Sequence, residues 1–508
     1  MNPAIITRLD LLLAAPEIFL LAATCLILLV DLFLDDSRRW QTFVLSIVAL
    51  AGTAWIAAQS GMEVRTVGWH GTYVGDPLAT LLKIVACGAV AVAFLYSYGY
   101  LAKRGILKGE YFVLGLFALL GIMVLASANS LVTLYLGVEL LALSLYAMVA
   151  FHRDSGSAAE AAIKYFVLGS IASGSLLYGI SIIYGVTGTL ELGRLAQAVA
   201  TLGPQQVGLL FGLAFVIVGV AFKFGAVPFH MWVPDVYQGS PTAVTLFLSS
   251  APKLASFALA FRLLGEGLAG LHTGWGQMLA IVAVLSMALG NVVAIAQGNI
   301  KRMLAYSTIA HAGYMLMAVS ALVVLQGSPQ GQAWITDQSS RAVEGLLYYL
   351  SVYFFMNLGA FAIVALIRNQ IFSEEIEDYQ GLGYQSPLLA TCMAICMFSL
   401  VGMPPLGGFF AKLAIFASVY QAGTVSPVMW VLLVLGLLNT VFSLYYYVRV
   451  LKTMTLNTRP AGARKLELPF GSVPGFYVAV VSFPVIFLGI NINWLSQAAR
   501  SVALTLFP

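Results

Sequence analysis

The amino-acid sequence predicts an all-α, polytopic membrane protein built as a helical bundle. Of its 508 residues, 60% are hydrophobic and only 9% are charged, whereas soluble domains carry about 25% charged residues. The mean hydropathy is +0.93. Apolar runs long enough to cross about 30 Å of hydrocarbon recur along the whole chain, with connections too short to hold a soluble domain.

Fourteen apolar runs are predicted to be membrane-spanning helices. In chain order they cover 11–34, 41–58, 77–99, 111–127, 131–150, 163–186, 207–228, 241–264, 275–297, 303–326, 343–367, 387–422, 428–451 and 472–494. The first run has no small-residue cleavage site, so we expect a span there and not a removable signal peptide.

Glycine and proline are predicted to break the seventh and twelfth spans. The breaks are expected at Gly225 and Pro228 in one span, and in the other at Pro404, Pro405, Gly407 and Gly408. The two spans are an odd number of spans apart and cross in opposite directions, as an inverted-topology repeat requires.

The chain, 1–508, is therefore expected to be one transmembrane domain with two five-helix inverted repeats. Helices one to three occupy 1–110, and helix fourteen occupies 472–494. The first repeat is predicted over 111–264 and the second over 275–451.

The distribution of lysine and arginine predicts the orientation, because positively charged loops stay in the cytoplasm. With fourteen spans, one side collects Arg38, Arg39, Lys103, Arg104, Lys108, Arg153, Lys164, Lys301, Arg302, Arg368, Arg449, Lys452, Arg459, Arg464 and Lys465. The opposite side has Arg8, Arg65, Arg194, Arg262, Arg341 and Arg500. Both termini are thus expected outside the cytoplasm. The net charge of +4 gives no indication of nucleic-acid binding.

The sequence contains no motif for a metal or a cofactor. Its cysteines, Cys25, Cys87, Cys392 and Cys396, lie in apolar runs without a CxxC pair. No glycine-rich nucleotide-binding loop occurs. We expect this chain by itself to bind no metal, nicotinamide, flavin, iron–sulfur cluster or nucleotide.

Glu139 and Lys223 are predicted to form a proton-transfer pair. Glu139 lies at the middle of LVTLYLGVELLALSLYAMV, and Lys223 directly precedes the first helix break. A charged residue at the bilayer centre costs about 2.5–3.5 kcal/mol, so such residues persist mainly where they have a function. A buried lysine can release its proton when a carboxylate moves away and reload when it returns. The alternative for Glu139 is a structural hydrogen bond between helices.

Lys253, His311 and Lys412 extend this set of candidate proton-transfer residues. Lys253 lies at the centre of the span after Lys223, and Lys412 follows the second break in VGMPPLGGFFAKLAIFASV. His311, in STIAHAGYML, has a side chain that titrates near neutral pH, although a lone histidine in a helix also serves as a packing residue. Two broken helices therefore each carry a buried lysine.

Other polar residues are predicted to have lesser roles. His230 and Asp235, just beyond the first break, are expected to shape a hydrated mouth and not to coordinate a metal. Lys83 is expected to extend towards the membrane interface. The charged run SEEIED, 373–378, is expected to be a solvated cytoplasmic loop.

The sequence resembles the antiporter-like membrane subunits of proton-pumping NADH:quinone oxidoreductase, respiratory complex I. The resemblance covers nearly the whole chain and rests on LYLGVELLALSLYAM, FKFGAVPFHMWVPDVYQGSPT, SSAPKLASFALAF and NIKRMLAYSTIAHAGYML. The DVYQGSP stretch and a lysine in place of glutamate at 412 resemble the branch called subunit N. The largest sibling subunit has a lateral helix after its bundle, which this chain, ending at Pro508, is expected to lack.

The resemblance implies a fourteen-helix membrane-arm subunit in the bacterial cytoplasmic (inner) membrane, with both termini on the periplasmic side. Its partners would be the lipid bilayer and other membrane-arm subunits, including antiporter-like ones. Partner subunits would carry FMN and iron–sulfur clusters, oxidise NADH and reduce quinone.

The resemblance also implies roles for the buried charges. In that family the residues matching Glu139 and Lys223 form a charge pair, and those matching Lys253 and His311 lie on a central hydrated axis. The lysine matching Lys412 leads to the exit side. Three other functions stay open: a subunit of a multi-subunit cation/proton antiporter, a structural subunit that only anchors its neighbours, and a secondary transporter for an organic solute.

Overall fold

A computed structural model describes residues 7–460, 462 and 473–506 of the chain. Two of the basic residues predicted to be cytoplasmic, Arg464 and Lys465, lie outside these residues. The chain divides into two compact units. The first contains the residues up to Lys223 together with Ala251–Trp275, and the second contains Phe224–Ser250 together with the residues from Gly276 onward.

Nearly all regular structure in the described residues is helical. The helices of the first half are α1 (Arg8–Leu13), α2 (Ala15–Asp31), α3 (Trp40–Gln59), α4 (Pro77–Lys103), α5 (Glu110–Ala126), α6 (Leu131–Val149), α7 (Gly156–Thr187), α8 (Leu192–Leu202), α9 (Val207–Phe224), α10 (Trp232–Gly239), α11 (Thr242–Leu248) and α12 (Ala251–Ala260). Those that follow are α13 (His272–Ile295), α14 (Ile300–Gln326), α15 (Gln332–Ile371), α16 (Leu382–Gln385), α17 (Pro387–Val401), α18 (Gly407–Gly423), α19 (Val428–Thr455), α20 (Val473–Ile490) and α21 (Ile492–Leu506).

The predicted all-helical membrane fold is confirmed. In the described part of the chain ten helices are long and apolar enough to cross a membrane, or eleven when α20 and α21, bent by 81°, count as one span. Two more apolar helices, α5 and α17, are shorter. The predicted number of fourteen spans and the inverted repeats stay predictions.

The first unit is a bundle in which α5 packs along α6. This close approach requires glycine, because a Cβ on Gly121 would lie 2.6 Å from the backbone nitrogen of Leu141. Small residues let membrane helices pack closely. An antiparallel hairpin of β1 (Thr66–Gly68) and β2 (Tyr73–Gly75) connects α3 to α4. Neither this hairpin nor the connecting helix α8 is predicted by the apolar runs.

Arg262 is fully buried in the first unit, although the charge distribution assigned it to the basic residues on the non-cytoplasmic side. It lies in a π-helical stretch, Phe261–Gly267, that follows α12. Its guanidinium donates to Asp76 at 2.8 Å, to Glu266 at 2.5 Å and to the Ala126 carbonyl at 3.1 Å. A guanidinium can be buried at this depth because two carboxylates balance its charge.

We expect Arg262→Met to destabilise the protein by about 3–5 kcal/mol, because removing one partner leaves buried charges uncompensated. The measurement is thermal unfolding of the detergent-solubilised protein. The control is Arg194→Met, since Arg194 also pairs with a nearby glutamate, Glu191, just before its helix, but is 76% exposed. Equal unfolding temperatures for the two variants would show that the buried cluster adds no stability.

Lys83 does not extend to the membrane interface as predicted. Its side chain is buried and forms an ion pair of 2.9 Å with Glu17, near the start of α2. Its ammonium also donates to the Tyr73 hydroxyl at 3.0 Å. A nearby carboxylate makes burial less costly than an unpaired ammonium would be, so Lys83 links α2, α4 and the β-hairpin.

The second unit contains a buried charge cluster at the N-terminus of α14. Lys301, predicted in a cytoplasmic loop, is 2% exposed and donates to Glu374 at 3.3 Å and to the Ser240 carbonyl at 2.7 Å. Arg368 donates to the same carboxylate at 3.2 Å. The 373–378 run therefore fixes the start of α14 through Glu374, while Glu377 in the same run is exposed.

We expect acid to destabilise this cluster. Burial by itself would raise the pKa of Glu374, but Lys301, Arg368 and Thr242 outweigh burial and hold that pKa below its ordinary value. A carboxyl whose pKa is lower in the folded state stabilises the fold above its unfolded-state pKa, and this contribution is lost as pH falls through the folded-state pKa. The unfolding temperature should therefore fall from about pH 5 downward.

The measurement is the unfolding temperature of the solubilised protein from pH 7 to acid. Glu374→Gln should lower that temperature at pH 7 and flatten the acid part of the curve. Glu377→Gln, the exposed control, should leave both unchanged. An identical acid profile for wild type and Glu374→Gln would show that other carboxyls carry the pH dependence.

Candidate functional site

Glu139 and Lys223 lie near each other in the first unit. Glu139 is on α6 and is partly buried, and its Oε1 atom accepts no hydrogen bond from any described residue. Lys223 is on the last turn of α9, within electrostatic range of this carboxylate. No hydrogen bond between the two side chains is found in the described residues. The two side chains are therefore close enough to attract each other but are not joined by a hydrogen bond in the described part of the chain.

The predicted break after Lys223 is confirmed. Helix α9 ends at Phe224, and α10 begins only at Trp232. Gly225 has a φ of +73°, and a Cβ there would lie 2.7 Å from the Val233 side chain. A left-handed backbone conformation and a close contact together require glycine at this position.

Lys253 joins Glu139 and Lys223 in the first unit. It is on α12 and is 4% exposed. Ser256, one turn further along α12, donates to the backbone carbonyl of Lys223 at 2.8 Å. Residues three apart share a helix face, so α12 presents Lys253 to the end of α9 that carries Lys223.

His311 lies on α14 in the second unit and is surrounded by tyrosines. Its Nδ1 atom is 2.5 Å from the Tyr349 hydroxyl, and its Nε2 atom is 3.2 Å from the Tyr447 hydroxyl. The rings of Tyr314 and Tyr353 lie 5.9 Å and 5.0 Å from the imidazole, centroid to centroid. The side chain is 2% exposed. Both ring nitrogens thus have partners that can donate or accept a proton.

Lys412 is the second ionisable group of this unit. Its ammonium donates to the Val401 carbonyl at 2.9 Å and lies 4.7 Å from the centre of the Tyr314 ring. Val401 is the last residue of α17, where backbone carbonyls have no partner within the helix. Lys412 and His311 interact electrostatically, and both border Tyr314.

The predicted break before Lys412 is confirmed as well. Helix α17 ends at Val401, Gly402 has a φ of +92°, and α18 begins at Gly407. A Cβ on Gly408 would lie 1.8 Å from the Ser399 carbonyl oxygen. The break therefore depends on glycine at 402 for its backbone conformation and at 408 for space.

Of the two polar residues predicted just beyond the first break, Asp235 has polar partners, whereas the Nδ1 atom of His230 has no hydrogen-bond partner among the described residues. Asp235 forms an ion pair of 2.6 Å with Arg302, which also donates to Gln238. His230 is partly buried close to the break. No group of three or more His, Cys, Asp or Glu side chains that could hold a metal ion is found in the described part of the chain.

The tyrosines around His311 were not predicted from the sequence to belong to the site. Tyr349 and Tyr353 are one turn apart on α15 and are followed one turn later by Asn357. This spacing in an otherwise apolar span is a sequence signal for a polar face. Phenol, imidazole and ammonium groups can all pass protons, so each unit holds a chemically suitable set of proton-transfer groups.

Residues 128–443 match the family model described as NADH:quinone oxidoreductase/Mrp antiporter, TM. The match includes all five candidate proton-transfer residues and excludes the Lys83–Glu17 pair.

Relatives of known name and structure match most of the chain. NADH-quinone oxidoreductase subunit N of Thiobacillus denitrificans is 48% identical over 446 residues, covering 88% of each chain. A chain of respiratory complex I from Thermus thermophilus with bound aureothin has a TM-score of 0.75 at 29% identity, covering 96% of this chain and 99% of that chain. A chain of the Mrp complex from Dietzia sp. has a TM-score of 0.76 at 19% identity, covering 98% and 97%; that likeness shows the fold alone.

Proposed function

The chain belongs to the NADH:quinone oxidoreductase/Mrp antiporter family of membrane subunits, and we propose that it is a proton-translocating membrane-arm subunit of a bacterial NADH:quinone oxidoreductase. In this role it is the translocase part of an enzyme whose partner subunits, carrying FMN and iron–sulfur clusters, oxidise NADH and reduce quinone. The observation that carries the proposal is the burial of ionisable groups beside two broken helices. Ionisable groups inside membrane spans mark proton and ion pathways.

In the first unit, Lys223 would hold a proton while Glu139 is close and release it when the carboxylate withdraws. The end of α9 can accommodate such movement because its next helix starts only at Trp232. Lys253, on the helix that binds the end of α9 through Ser256, is the group we assign as the next proton acceptor.

In the second unit, His311 and Lys412 would pass the proton on. Their shared neighbour Tyr314 and the Tyr349 hydroxyl on His311 keep the site polar inside an apolar bundle. Lys412 loads and unloads beside the Val401 carbonyl, and it is the group we assign to the exit side. His230, near the first break, is assigned to the hydrated mouth.

We also propose fourteen membrane crossings, with inverted repeats over 111–264 and 275–451 and both termini on the periplasmic side. The support is the charge bias of the loops and the odd number of predicted spans that separates the two broken helices in the sequence. The partners are other membrane-arm subunits, including antiporter-like ones, and the surrounding lipid.

The orientation is testable by labelling with an impermeant thiol reagent in a variant that lacks the exposed Cys25. A cysteine at Gln330, an exposed residue between α14 and α15, should react from the outside. A cysteine at Glu377, exposed between α15 and α16, should react only from the cytoplasm. The reverse pattern would show that the number of spans or the interpretation of the charge bias is wrong.

The experiment that tests the function is mass spectrometry of the native complex purified through a tag on this chain, followed by proton pumping in vesicles. Flavin and iron–sulfur polypeptides should co-purify, and NADH should drive acidification. Co-purification of only other cation/proton antiporter subunits would instead support the antiporter alternative.

A further inference from the structure

A cavity of about 310 Å³ lies in the second unit between α15 and α18. Helix α15 lines it with Gln338, Arg341 and Glu344, and α18 lines it with Ser418 and Gln421. Its volume is at the lower end of the range of about 300–1,000 Å³ for small-ligand pockets. We call this space the α15–α18 cavity. None of these polar residues belongs to the candidate proton-transfer site.

A contact between small residues closes the α15–α18 cavity at one end. Gly345 and Ala414 line this end, and a Cβ on Gly345 would lie 3.2 Å from the Cβ of Ala414. The polar lining residues precede Gly345 on α15 and follow Ala414 on α18. They therefore lie together on the side of this contact where α15 begins and α18 ends.

The surroundings of the α15–α18 cavity are typical of a membrane–water interface. Helix α21 turns away from α20 by 81°, and its Arg500 forms an ion pair of 3.5 Å with Asp337 near the start of α15. Trp494 of α21 is exposed, and so are Tyr420 of α18 and Trp430 of α19, whose rings lie 4.9 Å apart. Tryptophan and tyrosine are enriched at the depth of the lipid headgroups. The cavity is therefore at headgroup depth.

The α15–α18 cavity opens onto an exposed apolar face of α18. Ala417 lines the cavity and is itself exposed. Leu413 and Tyr420, four residues before it and three residues after it, are exposed as well and share its helix face. Acyl chains of a lipid can lie on such a face while the headgroup occupies the cavity. A small ligand that comes from water has no need of this face.

The charges of the lining fit a headgroup that carries both signs. The Arg341 side chain is 53% exposed, and its Nε atom donates to Asp337 at 2.9 Å. Among the described residues its Nη groups have no acceptor, so this planar fork can bind a phosphate. Glu344, on the same helix face, accepts from Ser496, and a carboxylate has further acceptor sites for an ammonium. A purely anionic headgroup would be repelled by Glu344 and Asp337.

We propose that the α15–α18 cavity binds a phospholipid with a phosphoethanolamine headgroup. Arg341 binds the phosphate, and Glu344 accepts hydrogen bonds from the primary ammonium. The acyl chains lie along the exposed face of α18 that contains Leu413 and Ala417. In the orientation proposed above, this lipid belongs to the periplasmic leaflet. Lipid binding at this place is independent of the proton transfer proposed above.

The test is photo-crosslinking of the purified native complex in vesicles of phosphatidylcholine, which has the phosphate but no N–H donor. The probe is a trace of phosphatidylethanolamine with a diazirine on an acyl chain close to the glycerol, and labelled residues are mapped by mass spectrometry. Excess unlabelled phosphatidylethanolamine should reduce labelling of 413–421 about tenfold. It should not reduce labelling of exposed apolar residues such as Val48 and Trp55 of α3. Soluble phosphoethanolamine should displace nothing.

Two variants separate the two charges of the headgroup, with labelling compared at equal amounts of assembled complex. Arg341→Gln should reduce labelling of 413–421 about tenfold, both by this probe and by a matching phosphatidylglycerol probe, because both lipids have a phosphate. Glu344→Gln should reduce labelling by the phosphatidylethanolamine probe but increase labelling by the phosphatidylglycerol probe, because a repulsive charge is lost. Arg194→Gln, an exposed arginine of the first unit, is the control and should change neither.

Three outcomes would contradict the proposal. Stronger labelling of the wild type by phosphatidylglycerol than by phosphatidylethanolamine would show that the site prefers an anionic lipid. Displacement by soluble phosphoethanolamine would show that the cavity binds a water-soluble ligand. Labelling of 413–421 that no lipid displaces, or no labelling there, would show that no specific lipid occupies the cavity.

Discussion

Lys223→Ala and Glu139→Ala are each expected to reduce proton pumping and the coupled NADH oxidation by about a hundredfold or more. Lys223→Ala leaves the Glu139 carboxylate, whose Oε1 has no hydrogen-bond partner among the described residues, without its nearby positive charge. Glu139→Ala leaves the lysine without the group that holds its proton. Glu139→Asp keeps the charge and should retain part of the activity.

The measurement is acidification of inverted membrane vesicles with NADH, with assembled complex quantified for every variant. Lys164→Ala is the matched control, because Lys164 is a lysine of the first unit that pairs with Glu160 at 43% exposure. It should pump normally. Wild-type turnover in an intact Lys223→Ala complex would contradict the proton-switch mechanism. If Lys223→Ala fails to assemble while the Lys164→Ala control assembles, the Glu139–Lys223 pair has a structural role.

Lys412 is expected to require a side chain that can gain and lose a proton, but not lysine itself. Lys412→Met should lose pumping by about a hundredfold, whereas Lys412→His or Lys412→Glu should retain part of it. Lys412→Gln is the most informative substitution. Its amide can still donate to the Val401 carbonyl, as the ammonium does, but it cannot exchange a proton.

A purely structural lysine predicts a different order. Lys412→Gln would then pump nearly as well as wild type, and Lys412→Glu would be the poorest because it places an acceptor against the Val401 carbonyl. Pumping is compared at equal amounts of assembled complex, with Lys452→Met, an exposed lysine of α19, as the control. Near-normal pumping by Lys412→Gln or Lys412→Met would contradict the relay role.

The helix breaks were predictable because their causes are local. Gly225 and Gly402 have positive φ angles, a conformation that glycine adopts without the steric cost paid by other residues. A proline nearby removes a backbone donor. Lys223 and Lys412 lie next to these glycines and prolines in the sequence, so the position of both lysines beside a helix break could be predicted from the sequence.

The partners of buried charges were not predictable in this way. Arg262 contacts Asp76, 186 residues away in the chain, and Lys83 contacts Glu17 on another helix. A hydropathy pattern assigns each residue to a span or a loop, but it contains no information on which helices meet. Lys301 was therefore predicted in a cytoplasmic loop, although contacts with Glu374 and Ser240 bury it.

Short amphipathic elements were missed for a different reason. Helix α8 buries Leu192, Leu195 and Val199 on one face, a helical period in a segment too short and too polar to qualify as a span. The α11 helix lay inside a predicted span, 241–264, and its separation from α12 at Ser249 and Ser250 has no glycine to signal it.

The acceptor of the Lys412 ammonium is a backbone atom, and this has an evolutionary consequence. The Val401 carbonyl exists whatever side chain position 401 carries, so apolar residues can replace one another there without removing the acceptor. No acidic residue has to change together with Lys412, as one must when two side chains form an ion pair. In related sequences, substitutions at positions 139 and 223 should therefore covary. Position 412 should covary with no position that carries an acidic residue.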